Sequence, residues 1–508
     1  MLSRIWSAAV LGIDAIQVGV EVDVSAGLPV IAVVGLPDIA VQESKERVKA
    51  AIKNAGFAFP MRRIVVNLTP ADLRKEGPSF DLPIALGILA ASEQADPHLL
   101  GDHLFLGELS LDGSLRGVTG VLPIAVAAKS QGIRAIIVPQ ENAQEAALVE
   151  GLVVYGLSSL TEVVSFLSCP QQFSASVSTQ PMVPSPAMAA ALDLADVKGQ
   201  HHARRALEIA AAGGHNLIFV GPPGSGKTLL ARRLPGILPP MTFTEALEVT
   251  RIHSVAGLLK GKGLVSDRPF RSPHHSASGP SLVGGGGFPR PGEISLASHG
   301  VLFLDELTEF KREVLEFLRQ PLEDGYVSIS RTRQSVTFPA QFMLVASTNP
   351  CACGYFGDSV HPCTCSPRKR EQYWARLSGP LMDRIDLQVA VQRLKPEELT
   401  RSPGGERSAA VRQRVEAARQ LQQQRFAHLN QVNCNAQMQS AHLREWCGLD
   451  EPSRTLLERA IKQLGLSARA TDRLLKVSRT LADLAQSDAL TTTHLAEAIQ
   501  YRTFDRVL

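Results

Sequence analysis

The stretch Gly221-Pro-Pro-Gly-Ser-Gly-Lys227-Thr228 decides the reading of this chain. It matches G-x-x-x-x-G-K-[ST], with the apolar run 216–220 (NLIFV) before it and the helical run LLARRL after it. In that context Gly221, Pro222, Pro223, Gly224, Ser225 and Gly226 form a bend whose backbone N–H groups converge on phosphate oxygens. Lys227 is placed to reach the β- and γ-phosphates of ATP, and Thr228 to put its hydroxyl on Mg²⁺. Downstream, the strand 301–304 (VLFL) delivers Asp305 and Glu306 to its C-terminal edge. Asp305 is expected to hold the metal ion, and Glu306 to orient and deprotonate the attacking water. A third strand, 342–346, runs into Asn349, a polar residue suited to orient that water.

The 508 residues suggest three or four structural units at about 150 residues each. With 44% hydrophobic and 20% charged residues, the composition is that of a globular protein with real cores. A net charge of +3 announces no overall basic field, although a local stripe would vanish in that sum. No apolar run approaches the ~18–20 residues that span a bilayer, so no membrane association is expected. The N-terminal IWSAAVLGI loosely imitates a signal peptide, but Asp14 ends it and strand-like alternation resumes. A cytoplasmic location is expected.

Short Val/Ile-rich runs (IQVGVEVDV, VIAVVGL, RIVVNL, HLFLGEL, AIIVP) alternate with helical stretches at 41–55, 84–92 and 123–131. Residues 1–167 therefore read as a mixed α/β domain. The Ser-, Pro- and Gln-rich residues 168–190 read as a linker. Strand–helix alternation resumes over 191–394, which suggests a parallel sheet covered on both faces. Residues 395–508 read as an all-α unit.

Together, the phosphate loop, the LFLDE strand, the STN strand and the helical end resemble the AAA+ ATPases. The segment RPFRSPHHSASGPSLVGGGGFPRPGEISLASHGVLFLDEL narrows the resemblance to the magnesium-chelatase-like ComM (YifB) family. GLPDIAVQESKERVKAAIKNAGF and NLTPADLRKEGPSFDLPIALGIL carry the same likeness into the N-terminal part. The resemblance implies an α/β fold in three parts: a Lon-protease-like (ribosomal S5 domain 2-like) domain, a P-loop AAA+ core and a helical lid. It implies adenine-side contacts from Gln200, an arginine finger at Arg384 and a lid sensor at Arg469, with Arg473 nearby. A finger acting on a neighbour implies a ring, and the family's rings are hexamers. The family's members look like branch-migration helicases that integrate single strands in natural transformation. Single-stranded or branched DNA and recombination proteins are the implied partners. Two other classes compete: a magnesium-chelatase-like ATPase that remodels a protein complex, and an ATP-dependent protease. Against the protease, Ser79 sits where the Lon nucleophile would be, but the Lon lysine position holds Leu122. Lys129 lies seven residues further, about 10 Å along a helix.

Two further groups carry chemistry. Cys351, Cys353, Cys363 and Cys365 form C-x-C…C-x-C, a set that four-coordinate structural Zn²⁺ could use, although C-x₂-C pairs are commoner. Reduced, metal-free thiols are the alternative. The Gly-rich loop with Phe288 and Arg290, and a hairpin over GYVSISRTRQSVTF with Arg331 and Arg333 at its turn, offer cations and a planar group. Ringed copies of these would suit phosphates and stacked bases.

Overall fold

The computed structural model describes residues 1–177, 192–259, 263–286, 289–330, 335–394, 404–429 and 432–502. Among the described residues, two large sheets, three two-stranded ribbons and a set of helices make up the fold. The first sheet has seven strands in the order Ile31–Val34, Arg63–Thr69, Asp14–Ser25, Leu2–Leu11, His103–Phe105, Ala135–Pro139 and Val153–Leu157. The signal-like start of the chain is thus a strand, Leu2–Leu11, paired antiparallel with Asp14–Ser25 from Leu2 opposite Asp23 to Leu11 opposite Asp14. Its apolar residues do not form a continuous helical block; Ile5 and Ser7 are buried while Leu2 and Arg4 are exposed.

Helix Asp81–Ala91 (DLPIALGILAA) is buried along its whole length, as expected where apolar residues occupy every face. It begins earlier than the apolar pattern suggests, because Asp81 is a buried acid at its first turn. Arg47 grips that carboxylate at 2.8 and 3.1 Å. Burial nonetheless pushes the Asp81 carboxyl up to about 6.

The first strands and helices do not end where the linker was expected to begin. Phe173 stacks edge-on against Phe166 at 5.6 Å, and the Ser176 amide donates to the Val154 carbonyl at 2.7 Å. Residues up to 177 stay on the edge of the first sheet; 178–190, the rest of the expected linker, lie outside the described residues.

The second sheet is wholly parallel, in the order Phe270–Arg271, Val301–Leu304, Met343–Thr348, Leu217–Val220 and Leu387–Ala390. Leu217–Val220 and Val301–Leu304 are buried at every position, the pattern of central strands covered on both faces. Each buried Leu, Ile, Val or Phe contributes about 1.5–3 kcal/mol relative to exposure. The antiparallel hairpin Tyr326–Ser330 with Ser335–Pro339 stands apart from this sheet. After Leu387–Ala390 the described residues form no strand; helices Ser408–Arg425, Ser440–Trp446, Glu451–Leu464, Ala468–Leu484 and Thr492–Gln500 complete the chain.

The two sheets are joined through helix Phe243–Val255. Arg251 donates to Asp14 at 2.7 Å and to the Ile13 carbonyl at 2.8 Å. Ser254 donates to the buried Glu145 carboxylate, which also accepts from the Leu122 amide at 2.9 Å. Leu122 itself is a core residue with its side chain fully buried. Lys129 lies at the far end of helix Val121–Ser130, with its Nζ near Gly151. Among the described residues no helix is long and apolar enough to cross a membrane.

Candidate functional site: the nucleotide pocket

Strand Leu217–Val220 feeds the loop 221–226, and helix Lys227–Arg233 leaves it. The loop's shape requires glycine at two points in particular. A β-carbon on Gly221 would collide with the Val391 carbonyl, and Gly226 lies at φ +91°. The Lys227 ammonium is folded onto the loop, donating to the carbonyls of Gly221 (2.7 Å) and Pro222 (3.0 Å) and to Asn349 Oδ1 (3.2 Å). Burial lowers its pKa, while Asp305 and Glu306 pull the other way.

Thr228 Oγ1 donates to Asp305 Oδ2 at 2.8 Å. The parallel register sets Leu304 beside Ala346, so Asp305 emerges next to Ser347, whose hydroxyl donates to its other oxygen. Glu306 comes next at φ +53°, a left-handed conformation uncommon for a residue with a side chain, and projects into solvent. Gln200 Nε2 ties the Ser225 carbonyl (3.4 Å) to the Gln392 carbonyl (2.6 Å), at the loop's flank. The sequence-predicted residues Lys227, Thr228, Asp305 and Asn349 are thus directly linked, with Glu306 adjoining Asp305 and Gln200 bracing the loop. Sequence reasoning missed Ser347 and Arg393, whose Nη2 reaches the Pro223 carbonyl at 3.3 Å. Only the pairing of strands reveals them.

A triphosphate fits this cradle. The Ser225 hydroxyl is buried with no hydrogen-bond partner, the loop lacks β-carbons where it closes, and a lysine supplies the charge. The oxygen pair of Thr228 and Asp305 suits a hard cation such as Mg²⁺.

A second group of cations lies in a cleft of about 990 Å³ whose lining includes none of residues 221–228. Arg384, only 7% exposed, donates to the Pro380 carbonyl at 2.6 Å and to the Glu323 carboxylate. Arg469 approaches the other Glu323 oxygen at 3.8 Å. Arg473 donates to the Arg384 carbonyl at 3.0 Å and pairs with buried Asp386. Burial lowers the Arg384 pKa, as do the neighbouring guanidiniums of Arg469, Arg319 and Arg473. The structure therefore places Arg469 with Arg384, not beside its own phosphate loop.

The four cysteines converge, with all their sulfurs within 4.8 Å of one another. Cys351 lies 3.3 Å from Cys353 and 3.6 Å from Cys363. Tetrahedral Zn²⁺ with ~2.3 Å bonds sets sulfurs about 3.8 Å apart, so the donor set fits that ion. The amides of Tyr355 and Thr364 hold the Cys353 thiol down at about 5, whereas burial pushes the neighbouring Cys351 thiol up to about 12. Cys351 comes directly after Asn349-Pro350, and a β-carbon on Gly354 would press on the Pro223 ring at 2.9 Å. The cysteine knuckle therefore leans on the phosphate loop.

Of the predicted polymer contacts, Phe288, Arg331 and Arg333 lie outside the described residues. Arg290 is exposed on a short ribbon that pairs Gly284–Gly285 with Arg290–Pro291. A β-carbon on Gly284 would meet Ile329 of the neighbouring hairpin at 3.0 Å, so ribbon and hairpin stand side by side.

Comparison with known proteins matches the chain to three family descriptions: magnesium chelatase, subunit ChlI, over 193–399; subunit ChlI of Mg-chelatase over 20–142; and the ChlI C-terminal region over 405–502. Competence protein ComM of Haemophilus influenzae is 47% identical over 512 aligned residues, covering 100% of this chain and 98% of that protein. The uncharacterized protein YifB of Escherichia coli is 46% identical over 100% of this chain and 98% of its own length. The chain belongs to the magnesium-chelatase-like ComM (YifB) family. Lon protease 2 of Bacillus subtilis is 29% identical over 123 residues, 24% of this chain and 22% of that protein. The ComM family is an AAA+ family, which implies ATP and Mg²⁺ at the cradle described above, and the α/β fold with its parallel core and helical end is that of the family.

Proposed function

We propose that the chain is an ATP-hydrolysing AAA+ ring motor acting on single-stranded or branched DNA. Its work would be branch migration that integrates an incoming strand during natural transformation or homologous recombination, alongside recombination proteins. The parts would divide as 1–167, the linker 168–190, the motor core 191–394 and the lid 395–508. The observation that carries the ATPase is the direct linkage of Thr228 to Asp305 and of Lys227 to Asn349. The DNA half leans on the whole-length identity to a protein named for competence.

In the catalytic cycle, Lys227 would exchange the Gly221 and Pro222 carbonyls for the β- and γ-phosphate oxygens. Thr228 and Asp305 would hold Mg²⁺, which when bound neutralises charge on those oxygens. Asn349 would orient water in line with the γ-phosphorus, and Glu306 would take its proton as ADP leaves. Arg384, held on Glu323 away from its own loop, would serve the neighbouring protomer of a homohexamer as the arginine finger, and Arg469 would be the sensor arginine of the lid. Zn²⁺ on the four cysteines would be structural, since four protein ligands leave no open position. Stripping it with a strong chelator, or replacing Cys363 with serine, is expected to lower the thermal midpoint and weaken ATP binding together, read by calorimetry and a fluorescent nucleotide. An unchanged midpoint after exhaustive chelation would refute the metal site.

ATP turnover is expected to rise when single-stranded or forked DNA is added, and strand exchange on a synthetic three-way junction to require hydrolysable ATP. A second reading, remodelling of a protein complex, is favoured by the three ChlI matches along the chain. Turnover indifferent to every DNA, with no exchange, would decide for it.

A further inference from the structure

Between helix His201–Gly213 and the strand that feeds the phosphate loop sits His215, wholly buried and unused by the mechanism above. Its Nδ1 lies 3.2 Å from Asp386 Oδ2, and its Nε2 lies 2.8 Å from Thr480 Oγ1. Thr480, also wholly buried, belongs to helix Ala468–Leu484, the lid helix that carries Arg469 and Arg473. Gly213 makes room for the meeting: a β-carbon there would fall 2.2 Å from His215 Nε2 and 2.5 Å from Thr480 Oγ1.

Hydroxyl, imidazole and carboxylate in a row are the parts of a hydrolytic triad, but this row does no hydrolysis. All three groups are closed to water, and the Thr480 hydroxyl already donates to the Lys476 carbonyl at 3.0 Å. What the row touches is Arg384. Asp386 follows two residues after it, and its carboxylate accepts from the Asn216 amide at 3.1 Å. The Asn216 side chain donates to the Arg384 carbonyl at 2.9 Å, and Arg473 of the lid helix donates to the same carbonyl at 3.0 Å. Core and lid thus both grip the peptide of Arg384, and His215 joins the two grips by spanning Asp386 and Thr480. Thr480 lies seven residues beyond Arg473, about 10 Å along the helix. The lid helix is therefore fastened to segment 384–386 at two separated points. Buried polar groups tolerate few such arrangements, because a partner that moves away leaves the other unpaired with no water to replace it.

We propose that His215 is a positioning residue for the arginine finger: it fastens the lid helix to segment 384–386, so that the lid of one subunit sets where that subunit presents Arg384 to its neighbour. This rests on the reading of Arg384 as a finger acting between protomers. A misplacement of about 1 Å costs on the order of 10²-fold in rate. A loosened segment therefore slows hydrolysis at the neighbouring site, while the subunit's own nucleotide binding stays intact.

The test follows ATP turnover in mixed rings of full-length subunits, with ring composition verified by mass. In the parent mixture, Arg384→Ala subunits supply the intact phosphate loop and Lys227→Ala subunits supply the intact finger. His215→Ala is then added to one kind of subunit at a time. In the finger-supplying subunit it is expected to lower kcat of the mixture by about 10–100-fold at unchanged KM for ATP. In the loop-supplying subunit it is expected to leave kcat within about two-fold of the parent mixture. Thr480→Val, which removes the hydroxyl and keeps the shape, is expected to reproduce that asymmetry, and Thr480→Ser, which keeps the hydroxyl, to match the parent. These two carry the same comparison if His215→Ala subunits fail to assemble. Equal losses in both positions, a loss confined to the loop-supplying subunit, or no loss in either overturns the proposal and leaves the finger reading standing. A silent parent mixture removes the finger reading and the proposal with it.

Discussion

Replacing Lys227 with alanine is expected to lower ATP turnover by at least about 10²–10³-fold, the loss typical when one preorganised charge-stabilising donor is removed. The structure argues for the upper end. This ammonium is held by the Gly221 and Pro222 carbonyls and by Asn349 Oδ1 at 2.7–3.2 Å, inside the loop that would cradle the phosphates. Phosphate release should fall to background while the thermal midpoint stays near wild type, since the loop's turn is set by Gly221 and Gly226. Turnover within about ten-fold of wild type would put the nucleotide elsewhere.

Arg384→Ala is expected to spare nucleotide binding and to reduce hydrolysis by about 10³–10⁵-fold, the range of an arginine finger. The cleft that holds Arg384 is not lined by the chain's own phosphate loop, and its guanidinium is engaged by Glu323 and the Pro380 carbonyl. Mixing provides the sharper measurement. Lys227→Ala and Arg384→Ala subunits are each expected to be inactive alone, whereas a mixed ring would contain junctions that join an intact loop to an intact arginine. Partial activity on mixing supports action between protomers; continued silence with mixed rings verified by mass would reject it. Glu323, which holds both Arg384 and Arg469, is where a phosphate would compete.

Much of this was legible in the residues. The phosphate loop announces itself because an apolar strand, a run of glycines and a helix must come in that order. Asp305 is legible because it lies just past the fully apolar strand Val301–Leu304, and Asn349 because it follows a strand that opens apolar and ends in Ser347-Thr348. The edge strands Phe270–Arg271 and Leu387–Ala390 were not, since two and four residues are too short for a periodic signal. Ser347 was invisible for a different reason: its partner Asp305 comes from the neighbouring strand, and lateral register is absent from a linear pattern. Arg469 was recognisable as an arginine of the lid, but its meeting with Arg384 depends on how helix Ala468–Leu484 packs on the core. The first strand was misleading because alternation over Leu2–Leu11 is blurred by alanines on both faces.

Glu145 has a consequence for the whole molecule. Shut off from water, that acid accepts from the Leu122 amide and from Asn142 Nδ2 on its own side, and from the Ser254 hydroxyl across the junction. Pulling the two parts apart would give up the Ser254 bond, a contribution of about 0.5–3 kcal/mol. The sheet side that carries Glu145 and the helix that carries Ser254 are thereby coupled, so a shift of one is felt by the other.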